Sequence, residues 1–537
     1  MAATARCFTA VWLTLAWTGC GGGGWPDVMD VRHVTAPGGA PKIARIRDMG
    51  QPKLPAHGAY TVTDSDGVGV IGELLLIEGE DLGKQPTVHV GGRATEVIAR
   101  TEDDGIIVRV PVGAPVGPQP VEVTTARGRA KAEFPIKRYA LVTLGERDKV
   151  HVLAVTRQAA EPTGQVLAIE NARMVRFSVD GSTAYVASGT GLGPAHLSVI
   201  DMTASGGPKV AARRDLPGRV VVALAASEGA PLIAVVGEEE VSFFNVREPL
   251  APSHYPVFKL PEGVMRGRVV AAEIDPEGLM LALLLAEGNR LTAFDVRRPE
   301  TPKPLTTVEV IPDARVPLVR DMRFSIDGET LWIVSGDNLL SLGAGPQPTR
   351  LTAVKLMPSP QQRGPRLISV WRTLPVPGAT APLALTLARG QMVASGTTIR
   401  LPPERAAVFI TGVPPALFQL EGLALAREAD QKKAAALWRR EPQPGMLVRA
   451  DVNGGGGPLF GSPNLLTGVD LSPDAQLILA SGCRVNATAD GHLTVEAGVA
   501  FTPLWTRTFN PTFIALGPLS PELLRPPFRL GEVRIQP

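Results

Sequence analysis

At 537 residues the chain is about three and a half times the ~150 residues of a typical domain, so two or more domains are expected. Hydrophobic residues make up 44% and charged residues 20%, which excludes a wholly disordered protein. The 54 basic and 52 acidic residues nearly cancel, leaving no large field to gather nucleic acid or anionic lipid. Gly and Pro total 107 of 537 residues, a turn-rich composition that favours many short strands over long helices.

The N-terminus reads as an address. Arg6 supplies one positive charge, an apolar stretch runs from Phe8 to Trp17, and Thr18 and Gly19 precede Cys20. The apolar run is too short for a bilayer core of ~30 Å, which needs roughly 20 residues. Charge, short apolar run and small residues are the parts of a secretory signal. Closing on Cys20 and followed by Gly21–Gly24, residues 1–19 resemble a bacterial lipoprotein signal peptide. The resemblance implies that Cys20 is the acylated first residue of the mature protein, anchored in the cell envelope, and that the outer membrane is its destination. Ordinary secretion, with Cys20 in the discarded peptide, is the alternative. Two or three acyl chains would be needed for durable attachment, since one anchors only marginally. The chain has three cysteines, Cys7, Cys20 and Cys483. With the signal removed and Cys20 acylated, Cys483 has no intrachain disulfide partner, and burial must supply the stability that small exported domains take from disulfides. Residues 20–40 are Gly-rich and Pro-punctuated, and read as a flexible tether.

Residues 41–137 change character. Lys42–Ile46, Leu74–Gly79, Thr87–Val90, Ile106–Pro111, Val121–Thr125 and Ala132–Ile136 are short alternating or apolar runs separated by Gly or Pro. Such spacing indicates an antiparallel sandwich. The Leu76-Ile-Glu-Gly79 strand with Asp81-Leu82, the Val88-His-Val-Gly-Gly92 hairpin, the Val108-Arg-Val-Pro111 strand and the stretch from Pro120 to Phe134 resemble the IPT/TIG family of immunoglobulin-like domains. The resemblance implies a spacer or contact module and no catalytic residues. A segment of about 50–70 is long against the family's short loop. Within it, Asp64-Ser-Asp-Gly67 looks like the start of a calcium loop, but Glu73 is not at the required spacing, and an Asp-Gly turn accounts for it better.

A recurring unit dominates residues 138–500, and the propeller region with its C-terminal tail is expected to span 138–537. Phe177-Ser-Val-Asp-Gly181, Ala223–Gly229, Ile274-Asp-Pro-Glu-Gly278, Phe324-Ser-Ile-Asp-Gly328 and Leu471-Ser-Pro-Asp-Ala475 each lead into one or two further apolar strands. Gly181, Gly229, Gly278 and Gly328 are spaced by 48, 49 and 50 residues. The distance from 328 to 475 is three times 49, so two degenerate units are expected between them, with Leu383–Gly390 and Leu423–Ala429 as candidates. This gives seven units, with eight as the alternative. A period near 50 with three or four strands per unit is a β-propeller signature. Ring closure would need a strand from 149–156 or from the tail. Asp201, Asn245 and Asp295 end third strands and are expected to hold the following turn. Phe177–Ala187 and Leu197–Asp201 resemble the YVTN/WD40-like propeller superfamily. The expected fold class is therefore all-β: an N-terminal immunoglobulin-like sandwich followed by a seven-bladed propeller.

Catalytic patterns are missing from the sequence: it holds no His-Glu-x-x-His, Cys-x-x-Cys or nucleophile elbow. His151, His196, His254 and His492 are scattered in the propeller region, and no catalytic, cofactor or metal residue is assigned. Gly454–Gly457 lacks the Lys-Ser/Thr of a phosphate loop, and Gln431–Arg440 reads as a solvated excursion or a docking patch. The expected function is non-enzymatic: a membrane-anchored envelope protein that binds a protein or glycan partner through the propeller face and the sandwich. Resemblance leaves two alternatives, a sugar-lactonase-like propeller enzyme and a scaffold for outer-membrane protein assembly.

Overall fold

Alternation of apolar and polar residues builds the first two sheets in the computed structural model. In one, Lys42–Asp48, Leu74–Glu80, Ile106–Arg109 and Val97–Arg100 lie side by side in that order. In the other the order is Gly69–Val70, Gly128–Lys137, Gly117–Thr125, Thr87–Val90 and Arg93–Thr95. Val121 and Val123, Phe134 and Ile136, and Val88 and Val90 point inward at every second position and meet Leu75, Ile77, Ile106 and Val108 from the opposite sheet. The hairpin at Gly91-Gly92 turns with both residues at positive φ, 59° and 77°, as a tight two-residue connection requires. The structure describes residues 39–50, 65–143, 148–191, 193–311, 319–325, 328–336, 349–357, 367–376, 381–387, 391–394, 397–400, 408–413, 416–420, 447–451, 463–473, 477–487, 493–503, 512–519 and 531–537. Cys20, the signal segment 1–19, Leu423–Ala429, Gln431–Arg440, Gly454–Gly457 and His492 lie outside these residues.

Beyond the sandwich, the described residues form seven sheets of four or five strands, whose innermost strands follow one another in a closed ring, and one two-stranded hairpin. The first blade runs Ala172–Phe177, Thr183–Ser188, His196–Asp201 and Lys209–Asp215 from the channel outward. The second is Ala223–Ala226, Leu232–Val236 and Glu240–Asn245, with short outer pieces at Ser253–His254 and Phe258–Lys259. The third is Val269–Ile274, Met280–Leu285, Arg290–Asp295 and Lys303–Glu309, and the fourth Val319–Phe324, Thr330–Ser335, Thr349–Met357 and Leu367–Val376. The fifth takes Ala381–Leu387, Val408–Val413, Ala416–Leu420 and Leu447–Asp451, and the sixth Pro463–Leu471, Leu477–Ala487, Leu493–Pro503 and Thr512–Leu519. The seventh joins the two ends of the repeat region: Val533–Ile535 is innermost, followed by Tyr139–Thr143, Lys149–Val155 and Ala160–Ala168.

Blade-to-blade burial closes this ring. Second strands such as Met280–Leu285 and Thr330–Ser335 are buried at every position because a neighbouring sheet covers each face. Leu284, Leu291 and Ala293 of the third blade pack on Met322, Ile333 and Val354 of the fourth. The same happens at closure, where Leu477, Leu479 and Val499 meet Ala140, Val142, Val533 and Ile535. The outer strand Lys209–Asp215 carries Lys, Arg and Asp and is almost wholly exposed, which blunts the edge against pairing with other chains.

One turn recurs between first and second strands. The amides of Ser178, Ser227, Asp275, Ser325 and Ser472 donate to the carbonyl five residues on, at 2.8–3.0 Å. In four of the five the side-chain oxygen also accepts the amide of that fifth residue, at 3.1 Å for Ser178, 2.9 Å for Asp275, 3.0 Å for Ser325 and 2.9 Å for Ser472. The carboxylate or amide oxygens of Asp201, Asn245 and Asp295 accept the amide two residues on at 2.9–3.0 Å, holding the turn after the third strand.

The unit count needs a correction. One blade, not two, fills the interval between Gly328 and Ala475. Leu383–Leu387 lies in the inner strand of the fifth blade. Ala416–Leu420 and Leu447–Asp451 pair directly as its third and fourth strands. The same blade has an added hairpin, Gln391–Ala394 with Thr397–Arg400. The seventh unit is the closing sheet, which uses both the 149–155 strand and the tail strand.

Candidate functional site

The inner strands converge on the channel, and in four blades the residue two positions before the recurrent turn lines it: Arg176, Glu273, Arg323 and Asp470. Thr386 and Arg534 line it from the inner strands of the fifth and seventh blades, and Asp321 and Glu532 lie two residues before Arg323 and Arg534. A cavity of about 130 Å³ is lined by Arg176, Glu273, Arg323, Thr386, Asp470 and Arg534.

These charges are engaged with one another. Arg176 reaches Glu532 of the closing strand at 2.8 Å and lies 3.8 Å from Glu273. Arg323 binds Glu273 and, at 3.2 Å, Asp321. Arg534 lies 3.4 Å from Glu532 and 3.7 Å from Asp470. Backbone amides complete the carboxylates: Val175 donates to Glu532 at 3.1 Å, Leu385 to Asp321 at 3.0 Å, and Ile535 to Asp470 at 2.7 Å. Each of these last bonds crosses from one blade to the next, so the ring is stapled as well as packed.

Electrostatics follow the geometry. Burial pushes the Glu532 carboxyl up, but the guanidinium groups of Arg176, Arg534 and Arg323 outweigh it and hold it at about 2. Burial pushes Glu273 above the usual carboxylate range against the pull of Arg323 and Arg176. Arg534 is lowered by burial and by its two neighbouring guanidiniums.

The histidines do not join this set. His151 lies in the Lys149–Val155 strand and His196 begins a third strand, while His254 sits in an outer piece with its ring 4.7 Å from Phe244. Burial lowers the pKa of all three. Cys483 is buried in the second strand of the sixth blade, where desolvation pushes its thiol up to about 11, the opposite of a reactive thiolate. Around Asp64–Gly67, the described residues form a turn around another acid. Ser65 Oγ and the Gly67 amide donate to Asp48 Oδ1 at 2.7 and 3.0 Å, and the Asp66 amide donates to Oδ2 at 2.7 Å. The Asp48 oxygens therefore already accept from this turn. Among the described residues no group of three or more His, Cys, Asp or Glu side chains is placed to hold a metal ion.

Reasoning from sequence motifs missed the channel residues, although a signal was present. Arg176-Phe-Ser178, Glu273-Ile-Asp275, Arg323-Phe-Ser325 and Asp470-Leu-Ser472 place a charge at one fixed offset from the turn, basic in the first and fourth blades and acidic in the third and sixth.

Comparison with solved structures finds all-β proteins at low identity. A Desulfotomaculum acetoxidans protein of unknown function aligns at 10% identity and TM-score 0.46, over 74% of this chain and 98% of its own. The periplasmic gluconolactonase of Pseudomonas aeruginosa aligns at 14% and 0.45, over 75% and 99%. An auxiliary nutrient binding protein of Bacteroides thetaiotaomicron aligns at 11% and 0.35, over 82% and 94%. No protein-family model and no curated protein matches the chain.

Proposed function

We propose that this chain is a non-enzymatic envelope lipoprotein, anchored through Cys20, that binds a protein or glycan partner on its propeller face and on its IPT/TIG-like sandwich. One observation carries the reading: the channel, where a propeller enzyme would keep its reacting groups, has its guanidiniums and carboxylates bound to one another. The cavity left over, about 130 Å³, is well below the ~300 Å³ at the small end of ligand pockets. Recognition then falls to the loops and faces that the rigid ring presents. The lactonase reading draws on the same ring of charges, but it needs them turned toward a substrate.

The test has two arms. The purified full chain is offered D-glucono-1,5-lactone and proton release is followed. The expected rate is that of the lactone alone. Saturable hydrolysis that Glu273→Gln lowers 100-fold would overturn the non-enzymatic reading. In a bacterial host, labelled fatty acid is expected on the wild type and not on Cys20→Ser, and label retained on that variant would overturn the anchor.

A further inference from the structure

Seven consecutive residues, Gly531–Pro537, touch four parts of the molecule. The Gly531 carbonyl accepts from Ser481 Oγ of the sixth blade at 3.0 Å. Glu532 pairs with Arg176 of the first blade, and its amide donates to Thr143 Oγ1 at 2.9 Å. Val533–Ile535 complete the closing sheet against Ala140–Val142. Gln536 is fully buried, and its side chain uses both ends. Its Oε1 accepts the Tyr139 amide at 3.1 Å, while Nε2 donates to the carbonyl of Ile71 in the sandwich at 2.9 Å and to that of Gly181 in the first blade's turn at 2.8 Å.

The sandwich meets the propeller at that same turn. Arg109 pairs with Asp180 at 3.0 Å and donates to the Gly72 carbonyl at 2.6 Å. Gly72, at φ +84°, lies so close that a Cβ there would stand 2.4 Å from the Ser182 nitrogen. The turn that begins with Ser178 is thus a propeller element, the sandwich's seat and a partner of the closing segment.

We propose that Gly531–Pro537 is a shared latch, so that closing the ring and seating the sandwich are one cooperative event. The physical reason lies in the spacing. Glu532 and Gln536 are four residues apart on one short extended segment. Loss of the Glu532 bonds to Arg176 and to the Val175 amide removes the ties of the segment to the first blade's inner strand, and a shift of the loosened segment withdraws Gln536 from Ile71 and Gly181. Conversely, an unseated sandwich leaves the buried Gln536 amide short of an acceptor, a costly state that loosens the segment. The two modules then present their surfaces at a fixed relative orientation for as long as the ring is closed.

Native-state hydrogen exchange on the full chain tests the latch through variants at either end of it. Gln536→Asn touches no channel charge, and Glu532→Gln touches no sandwich atom. Each is expected to speed exchange about tenfold or more at both sets of amides: Thr143 and Val175 beside the channel, and Ile71 and Gly72 at the seat. Ser325→Ala, which weakens a turn in the fourth blade, is expected to speed both sets no more than it speeds the amides of its own blade, whereas each latch variant speeds both sets more than it speeds the fourth-blade amides. If each latch variant loosens only its own side, or speeds the fourth-blade amides as much as both sets, the shared latch is wrong.

Discussion

Two carboxyls with opposite surroundings pull the pH response of this molecule in opposite directions. Glu532 sits among three guanidiniums and is held near 2, against an ordinary value of 4.5. Because the folded value is the lower one, its contribution is complete above about pH 4.5 and is lost as pH falls toward 2. Glu73 is the reverse. Burial pushes it up to about 8, although the amides of Gly50 and Val70 donate to it. The folded carboxyl keeps its proton while the unfolded chain gives one up, so stability falls as pH rises from about 4.5 to about 8. In urea unfolding across pH, Glu532 is therefore expected to contribute a rise in stability from about pH 2 to 4.5, and Glu73 a fall from about pH 4.5 to 8. Glu532→Gln should flatten the acid limb and cost about 2 kcal/mol at neutral pH, the range for a hydrogen bond to a charged group. Glu73→Gln should flatten the upper limb. A limb that keeps its slope in the matching variant would contradict the assignment.

At the scale of the element, the recurrent turn carries the regularity of the fold. Ser325 shows why a small oxygen-bearing side chain is used: its amide donates to the Thr330 carbonyl and its hydroxyl accepts the Thr330 amide at 3.0 Å, while the residue is buried. Ser325→Ala is expected to lower unfolding free energy by about 1–2 kcal/mol, the cost of stranding a buried amide. A thermal or urea scan with no change would mean the hydroxyl is dispensable. These turns, and the Asx turns at Asp201, Asn245 and Asp295, are legible in the sequence because the same local chemistry recurs with little insertion from 172 to 328. The fifth blade defeats period arithmetic for a physical reason. Its extra hairpin, Gln391–Arg400, and the residues between Leu420 and Leu447 lengthen one unit by about the size of another. The seventh blade is hidden differently, since its inner strand and its other three lie nearly 400 residues apart. The charged channel was readable only once the ring was assumed, because Arg176 or Glu273 alone looks like any surface charge.

Across the whole molecule, Ala40–Pro537 behaves as one compact unit in which packing between blades supplies the core and the channel charges tie blades together. Seven sheets that cannot each bury two faces alone are stable as a ring. The channel charges of that ring are engaged with one another, and this is what supports the proposed reading of a platform. A double-mutant cycle on Arg176→Met and Glu532→Gln measures this most directly, because it asks whether the two side chains are energetically coupled. Mutual engagement of the channel charges calls for a coupling of about 1–3 kcal/mol in unfolding free energy. Additivity within about 0.5 kcal/mol would mean that these side chains do not depend on each other, and would return the channel to the service of a ligand.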